Sequence, residues 1–271
     1  MTAPRRLAVA ALLVVAVACH SGRSYRDPAS PRHAGAPPGE APVASPRPDT
    51  LLVVSFNIEF ARRVSGAIAL LTSDSALRGV DLLLLQEMDA EGTRRIAEAL
   101  GLWYVYYPSV WHGRARRDVG NAILSRWPVV ADEKLILPHV SRYAGTQRTA
   151  TAATVRVGDA LVRVYSTHLG TPLDVSARSR RAQLAAVLAD AARYEHVILG
   201  GDLNDTRVGA AARQAGYAWP TERGPRTTLL GRYDHIFLRG LESPAGGAAG
   251  TVPDARGTSD HLPVWARAVL R

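Results

Sequence analysis

Five polar pairs stand where short apolar runs of this sequence begin or end. They are Gln86-Glu87, Thr167-His168, Asp202 with Asn204, Asp234-His235 and Asp260-His261. Any one pair is typical of a turn or a helix cap, because short polar side chains suit both. Together they supply the carboxylates, amides and imidazoles that a metal-assisted hydrolase uses. We therefore expect these side chains to meet at one site.

Cys19 is the only cysteine, which excludes an intramolecular disulfide and a multi-cysteine zinc site. Any metal must be held by oxygen and nitrogen ligands. The 33 basic residues exceed the 24 acidic ones, and all of them but Lys134 are arginines. Beside the abundance of Ala and Gly, this bias is typical of codon usage, so the net charge of +9 is weak evidence for a nucleic-acid partner.

Three apolar runs are predicted to carry the polar residues on strands. Residues 51–60 alternate between apolar and polar, which predicts a half-buried strand with Asn57 opposite the core side. The continuous runs at 80–87 and 196–204 predict strands buried on both faces. Loops at the ends of strands are where sheet enzymes gather catalytic groups.

Helical spacing and further strands complete the predicted elements. Helices are predicted at 61–78, 91–100 and 176–194, and shorter strands at 121–125, 129–137, 149–157, 161–167, 233–238 and 262–269. Mixed helices and strands in one unit imply an α/β or α+β fold. With 47% hydrophobic residues the chain excludes a wholly disordered or fibrous protein, and we expect one folded domain at 50–271.

The amino-terminal residues predict export. Residues 1–18 form a signal peptide in which Arg5 and Arg6 precede an apolar run at 7–18, too short to span a bilayer. Cys19 after Ala16-Val17-Ala18 resembles a bacterial lipobox, whose cysteine is lipidated, and we favour this over simple secretion, in which Cys19 is discarded with the signal. Residues 19–49 predict a disordered, Pro-rich linker to the domain.

Seven segments together resemble the endonuclease/exonuclease/phosphatase superfamily. In chain order they are SFNIEF, LLLLQEM, GNAILSRWP, STHLG, GGDLND, YDHIF and SDHLPV. The resemblance extends over 51–269, and its most specific part is GDLN, then a YDHIF-type strand, then SDHLP near the carboxyl end. It implies a four-layer αββα sandwich, with two packed mixed β-sheets flanked by helices and the site at one end of the sheets.

The resemblance also implies a metal site and a catalytic base. Glu87 would be the principal ligand of Mg²⁺ or Mn²⁺, supported by Asn57 and Asp260, since these ions prefer hard oxygen ligands. Asp202 would align and deprotonate the attacking water. Asn204 would hold that water or a phosphate oxygen.

Two histidines complete the implied site. His261, oriented by Asp234, would contact the scissile phosphate, and a carboxylate partner favours its cationic form. His168 would also contact the phosphate and assist the leaving group. His235 should alternate to the opposite face of its strand, which predicts packing rather than catalysis.

Asn121 and Arg148 match positions of the superfamily that often face the substrate. An arginine that opens a strand is equally an ordinary edge charge. Residues 103–117 combine aromatic side chains with arginines, a mixture that suits base stacking or a lipid interface. Strand packing followed by a solvated loop explains the same residues.

The sequence therefore predicts an exported, monomeric, Mg²⁺-dependent phosphoesterase, anchored to a membrane of the cell envelope through Cys19. A nuclease is placed slightly ahead because of Arg114, Arg116 and Arg117 and the aromatic residues before them. A lipid or inositol-phosphate phosphoesterase of sphingomyelinase type is the alternative. A catalytically silent binding protein of the same fold should have lost a polar site residue, and none is lost here.

Overall fold

Two mixed β-sheets pack face to face, and helices cover the outer face of each sheet. The computed structural model describes residues 22–37, 50–244 and 248–270. Its architecture is the four-layer αββα sandwich that the resemblance implies. The export signal and Cys19 lie outside the described residues, as do residues 38–49.

The elements have the following bounds. The strands are β1 (Arg23–Ser24), β2 (His33–Gly35), β3 (Leu51–Asn57), β4 (Leu82–Met88), β5 (Trp103–His112), β6 (Arg117–Ser125), β7 (Val129–Val140), β8 (Gln147–Val157), β9 (Ala160–His168), β10 (His196–Asp202), β11 (Asp234–Arg239), β12 (Leu241–Glu242), β13 (Ala249–Thr251) and β14 (Val264–Leu270). The helices are α1 (Val64–Ser73), α2 (Ala90–Leu100), α3 (Ala177–Ala191) and α4 (Ala210–Gln214), with a 3-10 helix at Glu59–Ala61.

The larger sheet has the strand order β1-β5-β6-β4-β3-β14-β12, with β2 also pairing with β5 and β13 with β14. The smaller sheet has the order β11-β10-β9-β8-β7. In each sheet one central pair is parallel, β3 with β4 and β9 with β10. The two strands of each parallel pair therefore have their carboxyl ends at the same end of their sheet, where side chains from both sheets can meet.

The core has three layers, and β3 belongs to two of them. Leu51 and Val53 pack between the sheets, whereas Leu52, Val54 and Phe56 pack beneath α1 and α2. Every residue of β3 is buried, so the prediction of a half-buried strand is wrong. The polar side chains that alternate with the apolar ones along β3 face the second sheet instead of solvent.

Helix α3 confirms its prediction, and Ser176 is its N-cap, with Oγ accepting from Ser179 N. Helix α1 is shorter than the predicted 61–78. The 3-10 helix before it has positive φ at Glu59, Phe60 and Ala61, which α-helical residues do not adopt.

Residues 22–37 form part of the folded domain, so the prediction of a disordered linker is wrong for them. Strands β1 and β2 both pair antiparallel with β5. The Tyr25 hydroxyl donates to Asp118 at 2.5 Å, and Arg32 binds Asp132 at 2.6 Å. Without residues 22–37, the backbone groups on the outer edge of β5 would be unpaired. The composition of this segment does not show that β5 needs a partner there.

Candidate active site

Strand register brings the predicted polar residues to one end of the sandwich. In the smaller sheet Asp202 pairs with His168 on β9 and with Asp234 on β11. In the larger sheet Asn57 is the last residue of β3, and its Nδ2 donates to Asp202 Oδ2 at 3.1 Å. This bond crosses the gap between the sheets, so both sheets contribute to the same site.

Glu87 reaches the site because β4 carries a bulge. The pairing of β4 with β6 shifts between Leu85 and Met88, and these two residues, three apart, both face the helices. Glu87 has a left-handed φ of 56° and lies inside this interruption of the alternation. Its Oε2 accepts from Phe60 N at 3.0 Å, and its Oε1 lies 3.8 Å from His168 Nδ1.

Asp202 owes its place to the glycine before it. A Cβ at Gly201, whose φ is 148°, would lie 1.9 Å from the backbone oxygen of Thr167. Only glycine therefore allows β10 to approach β9 this closely. The approach sets Asp202 Oδ2 at 3.2 Å from His168 Nε2.

Asn204 follows in a left-handed conformation, with a φ of 51°. Its backbone N–H donates to Asp202 Oδ1 at 2.9 Å, and its Nδ2 donates to Leu169 O at 3.0 Å. The amide is thereby oriented, with its Oδ1 directed away from both bonds. This leaves Asn204 an oxygen that can accept from a water.

His261 is held on a buried carboxylate. Its Nδ1 lies 2.8 Å from Asp234 Oδ2, and its Nε2 lies 3.7 Å from Asp202 Oδ2. Ser259 shapes the loop, because its Oγ donates to Asn57 O at 2.7 Å and accepts from His261 N at 3.0 Å. Ser259 is not among the residues predicted from the sequence, although a serine two residues before His261 is a recognisable turn signal.

The electrostatics separate the roles of the ionisable groups. Burial alone would lower the pKa of His261, but the carboxylates of Asp234 and Asp202 outweigh it and raise that pKa to about 10. Burial raises the pKa of Asp202 to about 7, against the opposing charge of His261. Burial, with the charges of Arg148 and His261, lowers the pKa of His168 well below its usual range. At neutral pH the site thus holds a cationic His261 beside a neutral His168.

The donor groups fit a divalent cation. Ligand atoms of the Asp202 and Asp234 carboxylates lie within 4.8 Å of each other and of a ring nitrogen of His261, whose cationic ring is not itself a ligand. Asp234 Oδ1 is buried and has no hydrogen-bond partner among the described residues, which is costly for a carboxylate oxygen. Glu87 and the exposed Asp260 add two further carboxylates. The charge of His261 lowers the pKa of Glu87, and the charge of Asp260 raises the pKa of His261, so both carboxylates lie near this ring. Oxygen donors in this number suit Mg²⁺ or Mn²⁺.

A cleft of about 430 Å³ opens beside Glu87. Its lining includes Arg148, which opens β8, and also Arg62 and His112, which the sequence analysis misses. The charge of Arg148 opposes the rise that burial causes in the pKa of Glu87. The guanidinium of Arg148 has no ion pair within the described part of the chain, which leaves it available to an anionic ligand.

Asn121 lies elsewhere than the cleft. It is 2% exposed, and its Nδ2 donates to Thr149 O at 2.8 Å across the gap between the sheets. Its Oδ1 is buried without a partner in the residues that the structure describes. Asn121 therefore does not line the described cleft, in contrast to Arg148.

His235 packs on the far side of β11, as the alternation predicts. It accepts at Nδ1 from Trp219 Nε1 at 3.2 Å, and its Nε2 lies 3.0 Å from Arg232 O. Burial lowers the pKa of His235 to about 4, so the ring is neutral. Its ring therefore packs against Trp219 and the backbone of Arg232.

Comparison with solved structures shows that other proteins have the same fold. An endonuclease/exonuclease/phosphatase from Beutenbergia cavernae DSM 12333 has a TM-score of 0.66 at 20% identity, over 82% of this chain and 72% of that one. D. rerio TDP2 complexed with a single-strand DNA product has a TM-score of 0.64 at 19% identity, over 82% and 99%. The human Nocturnin catalytic domain with bound sulfate has a TM-score of 0.63 at 18% identity, over 84% and 97%.

Comparison with curated protein sequences finds no significant match. The profile of the Endonuclease/Exonuclease/phosphatase family, however, matches residues 54–261, which span every polar residue of the site described above. Members of this family are metal-dependent hydrolases of phosphate esters. The chain accordingly belongs to the endonuclease/exonuclease/phosphatase family and is a metal-dependent hydrolase of this kind.

Proposed function

We propose that this protein acts outside the cytoplasm and hydrolyses a phosphodiester or phosphomonoester by direct attack of a water molecule. The observation that carries the proposal is the position of His261 between two buried carboxylates, with Nδ1 2.8 Å from Asp234 Oδ2 and Nε2 3.7 Å from Asp202 Oδ2, where these carboxylates favour its cationic form. A base and a fixed positive charge then lie side by side. A phosphate ester needs both, because it is anionic and its attacking water must be activated.

Asp202 is the proposed base, since a pKa of about 7 allows it to accept a proton from water near neutral pH. Asn204 Oδ1 orients that water. His261 and Arg148 neutralise charge on the phosphoryl oxygens. As water adds to phosphorus, one P–O ester bond breaks, Asp202 takes the proton from the water, and the leaving oxygen takes a proton from solvent.

Glu87, Asn57 and Asp260 would hold the divalent cation, with Mg²⁺ or Mn²⁺ as the proposed ion. When bound, the cation adds positive charge at the phosphoryl oxygens. His168 has a different role from the one that the resemblance implies. Its lowered pKa makes it a poor proton donor to a leaving group, so we assign it the positioning of Asp202, which it contacts at 3.2 Å.

Export and a lipid anchor belong to the same proposal. They are supported by the apolar run at 7–18 and by Cys19 directly after Ala16-Val17-Ala18. Among the described residues, no helix is both long and apolar enough to cross a membrane. In this proposal the amino-terminal residues attach the protein to the envelope.

Cys19→Ser is expected to move the protein from the membrane fraction to the soluble fraction, because the variant lacks the thiol that carries the lipid. Cell fractionation followed by mass spectrometry of the amino terminus is the measurement. Soluble wild-type protein with an unmodified terminus would exclude the anchor without touching the catalytic assignments.

The substrate class has two candidates. Nucleic acid is favoured by the arginines of the cleft, and D. rerio TDP2, which shares the fold, is complexed with a single-strand DNA product. Arg117, however, donates to Phe60 O, Ala61 O and Asp89, which removes it from the arginines that the sequence analysis assigns to nucleic acid. The phosphate ester of a lipid headgroup is the other candidate, and the surface around the site favours it.

The general function is tested by a side-by-side hydrolysis screen of the purified protein. The substrates are a chromogenic phosphodiester, DNA, RNA, sphingomyelin, a glycerophospholipid and inositol phosphates, each with Mg²⁺ and with excess chelator. We expect hydrolysis of at least one ester, lost on chelation, and absent in a matched Asp202→Asn preparation. Full activity in chelator, or no hydrolysis of any substrate, would refute the proposal.

A further inference from the structure

Large apolar side chains that are exposed to solvent concentrate at the catalytic end of the sandwich. The described residues include eight of them, and two, Val130 and Leu161, lie at the opposite end. The other six are Trp111, Val140, Tyr143, Leu173, Leu229 and Leu230. We call these six the apolar rim.

Strand register places the whole apolar rim at this end. The hairpin between β5 and β6 lies beside the bulge of β4, because Gly120 pairs with Met88. The connection between β7 and β8 lies there because Ala150, near the start of β8, pairs with Thr167. Leu173 follows β9, which ends at the site, and the loop with Leu229 and Leu230 precedes β11, which begins there.

The most exposed members of the rim contribute nothing to the core. Leu229 is 92% exposed, Leu173 is 80% exposed and Leu230 is 78% exposed. The loop that carries two of them is also well defined. Thr228 N donates to Gly231 O at 3.0 Å, and Gly231 N donates to Thr228 Oγ1 at 3.1 Å. Exposed leucines on a hydrogen-bonded loop, beside other exposed apolar side chains, are typical of a surface that is covered in use.

The chain enters the domain at this same end. Gly22 lines the cleft, and a Cβ on it would meet Thr146 Cγ2 at 2.5 Å. Next to it, Ser24 Oγ accepts from Gln147 N at 3.0 Å, which joins the segment to the second sheet. Cys19 is three residues before Gly22, and three extended residues span at most about 11 Å. An anchor at Cys19 would therefore hold the cleft against its membrane.

The charge of the cleft suits an anionic lipid surface, because its three arginines, Arg62, Arg114 and Arg148, outnumber its two acids, Glu87 and Asp174. Arg62 and Arg114 are exposed, and Arg148 lies deeper beside Glu87. Arginines among exposed aromatic and aliphatic side chains are typical of surfaces that bind anionic bilayers. A protein seated across the rim would cover the open cleft and exclude the substrate, whereas a bilayer supplies the substrate itself.

We propose that the apolar rim docks the catalytic end onto a lipid bilayer, so that the headgroup phosphate ester of a membrane lipid enters the cleft. This inference rests on the proposed phosphoesterase function and uses the same reaction. It names the substrate class, and it assigns substrate recruitment to residues that do not touch the reacting atoms.

The test uses the exported protein with Cys19→Ser as the parent, so that binding does not depend on an anchor. Leu173→Ser, Leu229→Ser and Leu230→Ser are combined in one variant, and Val130→Ser with Leu161→Ser is the matched control from the opposite end. Each protein is cosedimented with vesicles of phosphatidylcholine and phosphatidylglycerol. Hydrolysis of vesicle phospholipid and of a soluble chromogenic phosphodiester is measured in parallel.

We expect the triple variant to lose vesicle affinity by at least about tenfold, since three apolar side chains leave the bilayer interface. Phospholipid hydrolysis should fall with it, while the soluble ester is hydrolysed at the parent rate and the control matches the parent. Equal binding by the triple variant and the parent would overturn the docking face, as would an equal loss in the control. Cleavage of DNA or RNA without phospholipid hydrolysis would overturn the substrate class. A parent inactive on the soluble ester would instead contradict the proposed function itself.

Discussion

Asp202→Asn is expected to lower kcat by about two orders of magnitude or more. The variant keeps the shape of the side chain but removes the carboxylate that accepts the proton of the attacking water. Its melting temperature should stay near that of the wild type, because burial raises the pKa of Asp202 and so already disfavours its charged form. Turnover on a soluble ester and thermal unfolding measure the two quantities.

His261→Ala should lower kcat on the same scale, because it removes the positive charge that Asp234 holds beside the phosphate. His235→Ala is the matched control, since His235 is also a buried histidine and follows Asp234 directly. The control should lose stability rather than turnover, because the ring packs edge-on against Trp219 at 5.0 Å between centroids. If His235→Ala proved as damaging to turnover as His261→Ala, the assignment of the two histidines would be wrong.

Glu87→Gln is expected to raise the Mg²⁺ concentration for half-maximal activity by about two orders of magnitude. The substitution removes a negative charge from the proposed ligand set and keeps its size. Chelation should abolish the activity of the wild-type enzyme, and Mg²⁺ or Mn²⁺ should restore it. Titration of activity with metal, supported by calorimetric binding, is the measurement.

The metal titration of Glu87→Gln needs a control variant. Arg148→Lys is not suitable, because the charge of Arg148 acts directly on Glu87. Glu91→Gln is suitable, since Glu91 is an exposed glutamate on α2 that pairs with Arg94. Its metal dependence should equal that of the wild type. A Glu87→Gln enzyme that needs no more Mg²⁺ than this control would remove Glu87 from the metal site.

Much of the candidate site can be predicted from the order of residues along the chain. Asp202 and His168 each end an apolar run, and Asp234 begins one. Strands that pair in register must bring such ends together, and the structure pairs Asp202 with both of the others. The local pattern is sufficient to predict where these strands end, because the side-chain period of a strand is only two residues and these strands are buried along their length.

The orientation of Glu87 cannot be predicted in the same way. Regular alternation from Leu85 would place Glu87 on the helix side of the sheet together with Leu85. The bulge before Met88 changes the phase of the strand. A bulge depends on which strand lies alongside, and that partner, β6, comes about 30 residues later in the chain.

The amino-terminal segment shows that composition alone does not predict whether a segment is ordered. Few apolar residues and many prolines predict disorder, because such a segment cannot form a core of its own. Residues 22–37 nevertheless lie along β5, which supplies backbone partners, and they bind Asp118 of β6 and Asp132 of β7. Their order comes from the domain against which they pack.

The sequence by itself determined the mixture of helices and strands and the residue types of the site's chemistry, because the elements depend on periodicities of two and of about four residues. The four-layer sandwich and the end of the sheets at which the site lies were implied by the resemblance to the endonuclease/exonuclease/phosphatase superfamily. Only the tertiary structure decided which side chains touch. The bond from Asn57 to Asp202, the inward turn of Glu87 and the apolar rim beside Gly22 each join segments distant along the chain. Such contacts depend on the packing of whole sheets, which no local pattern records.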